Sequence, residues 1–451
     1  MPRRFLLLVV VVLILPGCSK TQADDTSITG TPAAQTLSFS EEMIVGDPQG
    51  NAADPFFQLA PDGKVFLGWT EQNTQLAPDG EEFLGWTEQD TGTEGRNAFV
   101  ALLNRDSKQL AEPRRLNNDP GEVHAYGGDN RPKLTIGSDG SMAAIWATPL
   151  AEFKTGYIQV AHAESNGLFS SSSTLNDDGR AVAHAFSNIS TSPDGKIFAT
   201  WIDGRNRTER PPRSDIAAMM NISSQLFMAV SEDDGKTYGK NYLIAKTACA
   251  CCVPNIVFLD GGQTVVVSHR FLDENGVRDH VVIRSTDRGE TFSEPVMISD
   301  DGWVTGCPHA GISIATDSEE RIHGLWFTAG RVEAEAGIYY TFSEDGGISF
   351  EPRQLVTKTP AKTVLHTQVK IGPNDAIWAT WVNIEDERPQ IFLAHRDRDA
   401  NQWDRTYQVS DATSNAILPS LAVDAENVYI AWTERKGEGS QVKLRWASLL
   451  E

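Results

Sequence analysis

The chain has 451 residues, with 39 basic and 61 acidic side chains and a formal charge of −22. That balance excludes nucleic acid and anionic lipid surfaces as partners, because either would be repelled. The length is large for one compact core, which directs attention to internal repeats.

Arg3 and Arg4 precede an apolar run over residues 5–15, followed by Pro16 and Gly17. A basic start, a short apolar core and small residues before a break predict a secretory signal over residues 1–17. The run is too short to be a permanent membrane span, and no later run reaches that length. Leu15-Pro16-Gly17-Cys18 resembles the lipobox of bacterial lipoproteins, in which the cysteine becomes the lipidated first residue. The resemblance implies lipidation at Cys18 and an exported protein, in the outer membrane and periplasm or at the cell surface. Its contact with the membrane is expected only through the lipid anchor. Ser19 follows the cysteine, so no Asp signals inner-membrane retention. The Thr-, Ala-, Ser- and Asp-rich remainder of residues 18–35 reads as a flexible tether.

Residues 36–451 carry a repeat. A turn containing Asp, Asn or Gly leads into a β-rich strand that usually closes on Trp. The closing residues are Trp69, with Trp86 in its tandem copy, then Trp146, Trp201, His269, Trp326, Trp381 and Trp432, with His replacing Trp once. This period suits a blade of four short strands, and helical periodicity is nearly absent. The fold class is therefore all-β, a β-propeller of four-stranded blades. Seven blades are expected. Six is the alternative, because residues 58–74 are almost repeated by residues 75–91 and leave the first unit irregular. In blade three, strands are predicted over residues 187–192, 196–203, 225–231 and 241–245. The last unit ends after its third strand, residues 441–449. Residues 36–45 supply a spare strand to pair near residues 441–446 and close the ring, removing an exposed sheet edge.

Three hairpins give the resemblance its specificity. Ser231-Glu232-Asp233-Asp234-Gly235-Lys236-Thr237-Tyr238 is similar to the Asp box of sialidases and related propellers. Ser285, Asp287, Gly289 and Phe292 mark a second, and Ser343, Asp345, Gly347 and Phe350 a third. A weaker relic lies near Asp397 to Trp403. In each box Asp can bind nearby N–H groups, Gly permits positive φ, and the aromatic ring covers the turn. The chain thus resembles the sialidase-like, Asp-box (BNR-repeat) propellers. The resemblance implies that the boxes are structural, on the outer rim, and that chemistry gathers where inner strands meet the central channel.

The segments leading into five consecutive inner strands are Asp129-Asn130-Arg131-Pro132, Ala183-His184-Ala185, Cys249-Ala250-Cys251-Cys252, Gly306-Cys307-Pro308-His309 and Leu365-His366-Thr367. Their common phase predicts that Arg131, His184, the cysteines, His309 and His366 converge on one mouth, with His124 joining from the preceding loop. Sialidases clamp the substrate carboxylate with three arginines. Arg131-Pro132 loosely matches their early Arg motif, but the corresponding segments of blades four and five hold Cys and Cys-Pro-His. Sialic acid release is therefore not expected. Another carboxylate pair, Asp129 and Glu122, lies close enough in sequence for other glycoside hydrolysis. If the chain is an enzyme, the resemblance implies a glycoside hydrolase of the exo-α-sialidase-like kind. The first functional expectation is a carbohydrate-binding or glycoside-hydrolase-like lipoprotein with a glycan or small ligand at the mouth.

The cysteines support a second expectation. With Cys18 lipidated, Cys249, Cys251, Cys252 and Cys307 remain. In an oxidising compartment an even count usually means disulfides. Thiolates gathered with His309, His184 and His366 would instead suit a soft metal such as Cu(I), or Zn. A metal-binding or redox propeller is thus the alternative function, and a protein-docking platform a third. His162, His280, His323 and His395 fall within strands or near Asp boxes and read as structural.

Overall fold

The computed structural model describes residues 36–72, 95–125, 130–149, 156–206, 223–303, 311–360 and 366–450, apart from Asn166, Ala181, Glu274 and Glu438. Seven four-stranded antiparallel sheets form the ring, a seven-bladed β-propeller. Their innermost strands are Ala53–Leu59, Lys133–Ile136, His184–Thr191, Asn255–Leu259, Ser313–Thr316, Thr367–Ile371 and Ala416–Val423. The expected seven blades are present. The second copy of the tandem duplication lies entirely outside the described residues, between the second and third strands of blade one.

Blade three follows the predicted strand order, with longer elements: His184–Thr191, Ile197–Asp203, Ser223–Ser231 and Tyr242–Cys249. Blade seven takes its fourth strand from the other end of the chain. Met43–Val45 pairs antiparallel with Gly439–Ser448, placing Met43 opposite Leu444 and Val45 opposite Val442. An isolated bridge joins Phe39 to Ala447, and the Leu37 amide donates to the Tyr407 hydroxyl of blade six. The expected closing strand is therefore formed, outermost in its blade.

The repeated tryptophan explains how the blades stack. Trp69, Trp146, Trp201, Trp326, Trp381 and Trp432 lie at matching points of the second strands and are all fully buried. In blades one, three and seven the carboxylate two residues on accepts the indole N–H: Glu71 at 2.8 Å, Asp203 at 2.8 Å and Glu434 at 3.2 Å. Trp-x-Asp/Glu is a packing motif in these three blades; the Trp326 indole donates instead to Asp301, and those of Trp146 and Trp381 have no hydrogen-bond acceptor among the described residues.

Around the axis, successive inner strands are joined by side chains rather than by a shared ladder. Thr135 accepts from the Thr191 amide, and Asn188 donates to the Pro254 carbonyl. Asn255 donates to the Ile312 carbonyl, and Ser313 accepts from the Val369 amide. Gln368 accepts from the Leu421 amide, and Ser420 from the Phe57 amide. Arg131 completes the circuit by donating to the Pro55 carbonyl of blade one. Much of the polar character of the inner strands is thus engaged in holding the ring together.

The three Asp boxes are built alike. Ser231 Oγ accepts from the Gly235 amide at 2.9 Å, and Asp233 accepts from the Thr237 amide at 2.8 Å. Ser285 with Gly289 and Asp287 with Thr291 repeat the pattern, as do Ser343 with Gly347 and Asp345 with Ser349. Gly235 has φ +81°, and a Cβ there would meet the Ala143 Cβ of blade two at 2.8 Å, so glycine is required twice over. Hydrogen bonds from Ser285 and Thr291 hold the Asp287 carboxyl down to about 2. The acids of the boxes are thus committed to their own turns.

Candidate functional site

Arg131 is buried, 4 % exposed. One guanidinium nitrogen donates to the Pro55 carbonyl at 2.5 Å and reaches the Pro419 carbonyl at 3.5 Å. Both carbonyls belong to β-bulges. The inner strands of blades one, three and seven slip register at Ala53/Phe56, Ala185/Asn188 and Ile417/Ser420. Within each bulge a residue with a side chain adopts a left-handed backbone: Asp54 at φ 55°, Phe186 at 52° and Leu418 at 55°. Asn130, beside Arg131, accepts from the Phe186 amide at 2.7 Å and donates to the His124 carbonyl at 2.9 Å. The Asn130-Arg131 dipeptide therefore ties down all three bulges. Its arginine serves the backbone of the ring, which differs from the substrate-clamp role suggested by the early Arg motif.

Asp129 lies outside the described residues. Glu122 accepts from Ser172 at 2.8 Å, and Ser172 directly precedes the outermost strand of blade two. Glu122 therefore points rimward instead of into the mouth. Burial raises its pKa against the opposing hydrogen bond from Ser172.

His184 also turns away from the cysteines. Its Nδ1 lies 2.9 Å from the Gly156 carbonyl, which can only accept, so Nδ1 carries hydrogen. Nε2 faces two carboxylates, Asp178 at 3.2 Å and Asp203 at 3.7 Å. These three residues form one group of potential metal ligands. The acids already have other donors: Asn176 on Asp178, and Trp201 with Arg205 on Asp203. An ion-paired structural network accounts for the arrangement. His366 belongs to neither group of potential ligands found among the described residues.

The cysteines do come together. Ligand atoms of Cys249, Cys251 and Cys252 all lie within 4.8 Å of one another. The Cys249 and Cys251 sulfurs are 3.7 Å apart, and those of Cys249 and Cys252 are 3.9 Å apart. All three are buried in the apolar core between blades three and four, with Ala185, Phe186, Val253 and Ile256. Cys249 is the last residue of an outermost strand, opposite Ser223, so only the other two lie on the link to the next inner strand. Cys251 is disulfide-bonded, whereas Cys249 and Cys252 carry thiols. The remaining cysteines, Cys18 and Cys307, and His309 lie outside the described residues.

Two buried arginines, Arg270 and Arg278, extend this cluster and were not apparent from the sequence. The Cys252 thiol as donor, followed by Arg270 and Arg278, lowers the Cys249 pKa to about 6 against burial. Arg270 is braced by its bond to the Arg278 carbonyl at 2.9 Å and lies over the Trp303 ring at 4.8 Å. His269, which takes the place of the repeat tryptophan, is fully buried. Burial lowers its pKa to about 4, partly offset by the Thr247 carbonyl two residues before Cys249.

No protein family model matches the chain, and no curated protein does. Solved structures do. A protein of unknown function from Dyadobacter fermentans DSM 18053 is 11% identical with TM-score 0.50, over 91% of this chain and 99% of that one. The polysaccharide lyase Uly1 is 12% identical with TM-score 0.51, over 90% and 91%. An intramolecular trans-sialidase from Ruminococcus gnavus is 12% identical with TM-score 0.48, over 90% and 96%. At such identities the likeness is one of fold. With seven blades and three Asp-box hairpins at matching corners, the chain has a seven-bladed β-propeller fold, similar to that of the first two of these structures.

Proposed function

We propose that this protein is an exported lipoprotein, anchored through Cys18, whose propeller binds a glycan at the channel mouth without sialidase turnover. The observation that carries the reading is the strained mouth. Left-handed backbones at Asp54, Phe186 and Leu418 mark bulges in three inner strands. Each such conformation costs about 1–3 kcal/mol, and bulges serve to re-aim side chains near sites. The fold is shared with a polysaccharide lyase. A formal charge of −22 disfavours polyanionic sugars, so neutral glycans fit better than polyuronates.

Calorimetric titration with neutral and uronate-containing oligosaccharides tests this. Saturable heat with a neutral glycan is expected, together with no sialic acid release from an aryl sialoside. Absence of binding across both classes defeats the reading. A separate fractionation checks the anchor. Cys18→Ala should move the protein from the membrane to the soluble fraction, because the lipid supplies most of the attachment. Unchanged partitioning of that variant counts against lipidation.

A further inference from the structure

Cys249 and Cys252 form a C-x-x-C pair that the glycan reading does not use. We propose that these two thiols are a binding site for a soft monovalent metal ion, Cu(I), held as a buried dithiolate between blades three and four.

The geometry is that of sulfurs around one ion. Sulfurs each about 2.3 Å from a shared metal stand roughly 3.8 Å apart in a tetrahedron and about 4.0 Å apart in a trigonal plane. The Cys249 and Cys252 sulfurs are 3.9 Å apart. Both side chains are buried, at 2 % and 0 % exposure, in an apolar core. Cys251 stands at a third corner, 3.7 Å from Cys249. Its disulfide withholds a third thiolate, leaving two anionic ligands.

Charge selects the ion. Two thiolates with Cu(I) carry a net charge of −1, and burying an anion requires a fixed counter-charge. Arg270 and Arg278, both buried in blade four, supply part of it, the Arg270 charge being shared with the buried Asp279. Two thiolates with Zn(II) would be neutral and would gain nothing from two adjacent cations. Zn(II) would also require two more ligands to complete its usual four. Thiolate ligation matches the softness of Cu(I), and the 3.9 Å separation corresponds to a three-coordinate ion that takes one further donor besides the two thiolates. The position is structurally firm, since Cys249 is fixed in the sheet opposite Ser223 and Cys252 leads into an inner strand.

The test uses full-length mature protein in detergent, prepared anaerobically and titrated with Cu(I) against a chromophoric Cu(I) chelator. One equivalent should be withdrawn from the chelator, with a thiolate-to-Cu(I) charge-transfer band in the ultraviolet. Cys249→Ser and Cys252→Ser should each lose that equivalent. These buried substitutions could unfold the chain, so a second measurement uses the wild type alone. Bound Cu(I) should protect both thiols from alkylation, localised by fragmentation of the peptide that carries them. Wild-type uptake no greater than that of a folded Cys249→Ser variant overturns the site, as does alkylation unaffected by Cu(I). Preferential retention of Zn(II) in a direct competition overturns the choice of ion. Glycan titration of the Cys252→Ser variant separates the two proposals, since loss of Cu(I) leaves sugar binding unchanged if they are independent.

Discussion

A chain lacking residues 1–46 is expected to lose its cooperative thermal transition, while one lacking residues 1–32 melts like the parent. The longer deletion removes Met43–Val45, the fourth strand of blade seven, and exposes the whole outer edge of Gly439–Ser448. It also removes two buried side chains, Leu37 and Val45. Burying each is worth roughly 1.5–3 kcal/mol. The ladder bonds and the contact of Leu37 with Tyr407 are lost as well. Total stability for a folded protein is about 5–15 kcal/mol, so these losses take a large part of it. The exposed edge adds a tendency to aggregate. Calorimetry on the two truncations decides the matter, and equal melting temperatures would refute the closure model.

Arg131→Met should destabilise the ring by about 2–4 kcal/mol, because removing a buried donor leaves acceptors unsatisfied. The affected acceptors are the carbonyls of Pro55 and Pro419, in the bulges of blades one and seven. Arg131→Lys should recover only part of the loss, since an ammonium on a shorter stem must still reach carbonyls of two other blades. Urea unfolding of the three proteins measures the effect. A substrate-clamp arginine would behave oppositely, leaving stability unchanged or improved when replaced. An Arg131→Met variant as stable as wild type would show that the bulges hold without it.

What could be read from the residues alone was what is local or periodic. Tryptophans recurring at second strands, Asp-box spacing and a spare N-terminal strand each impose their own constraint, and the fold follows from them. The site was less accessible because phase along the chain locates a residue without fixing where its side chain points. His184 opens its inner strand as expected, yet its ring turns to Asp178 and Asp203. Glu122 is adjacent to the mouth in sequence but its carboxylate meets Ser172 near the rim. Arg270 and Arg278 are far along the chain from Cys249, and their role depends on how blade four stacks on blade three. The bulges leave no local trace either. Phe186 and Leu418 are residues that ordinarily avoid a left-handed backbone, and their bulges are tied to Asn130 and Arg131 of blade two, far away in the chain. Trp-x-Asp/Glu was the overlooked signal, visible in three blades as Glu71, Asp203 and Glu434.

The pairing of Met43 with Leu444 sets an order of events during synthesis. Six blades can assemble from residues close together in the chain as it emerges. The seventh must wait until the last strand arrives, nearly a full chain length after its partner. Contacts so distant in sequence form late, because the chain must surrender loop entropy before they repay it. An incomplete ring therefore persists for the duration of synthesis, with the N-terminal strand unpaired. Mechanical or thermal opening should begin at this same junction, where no covalent link joins the two ends.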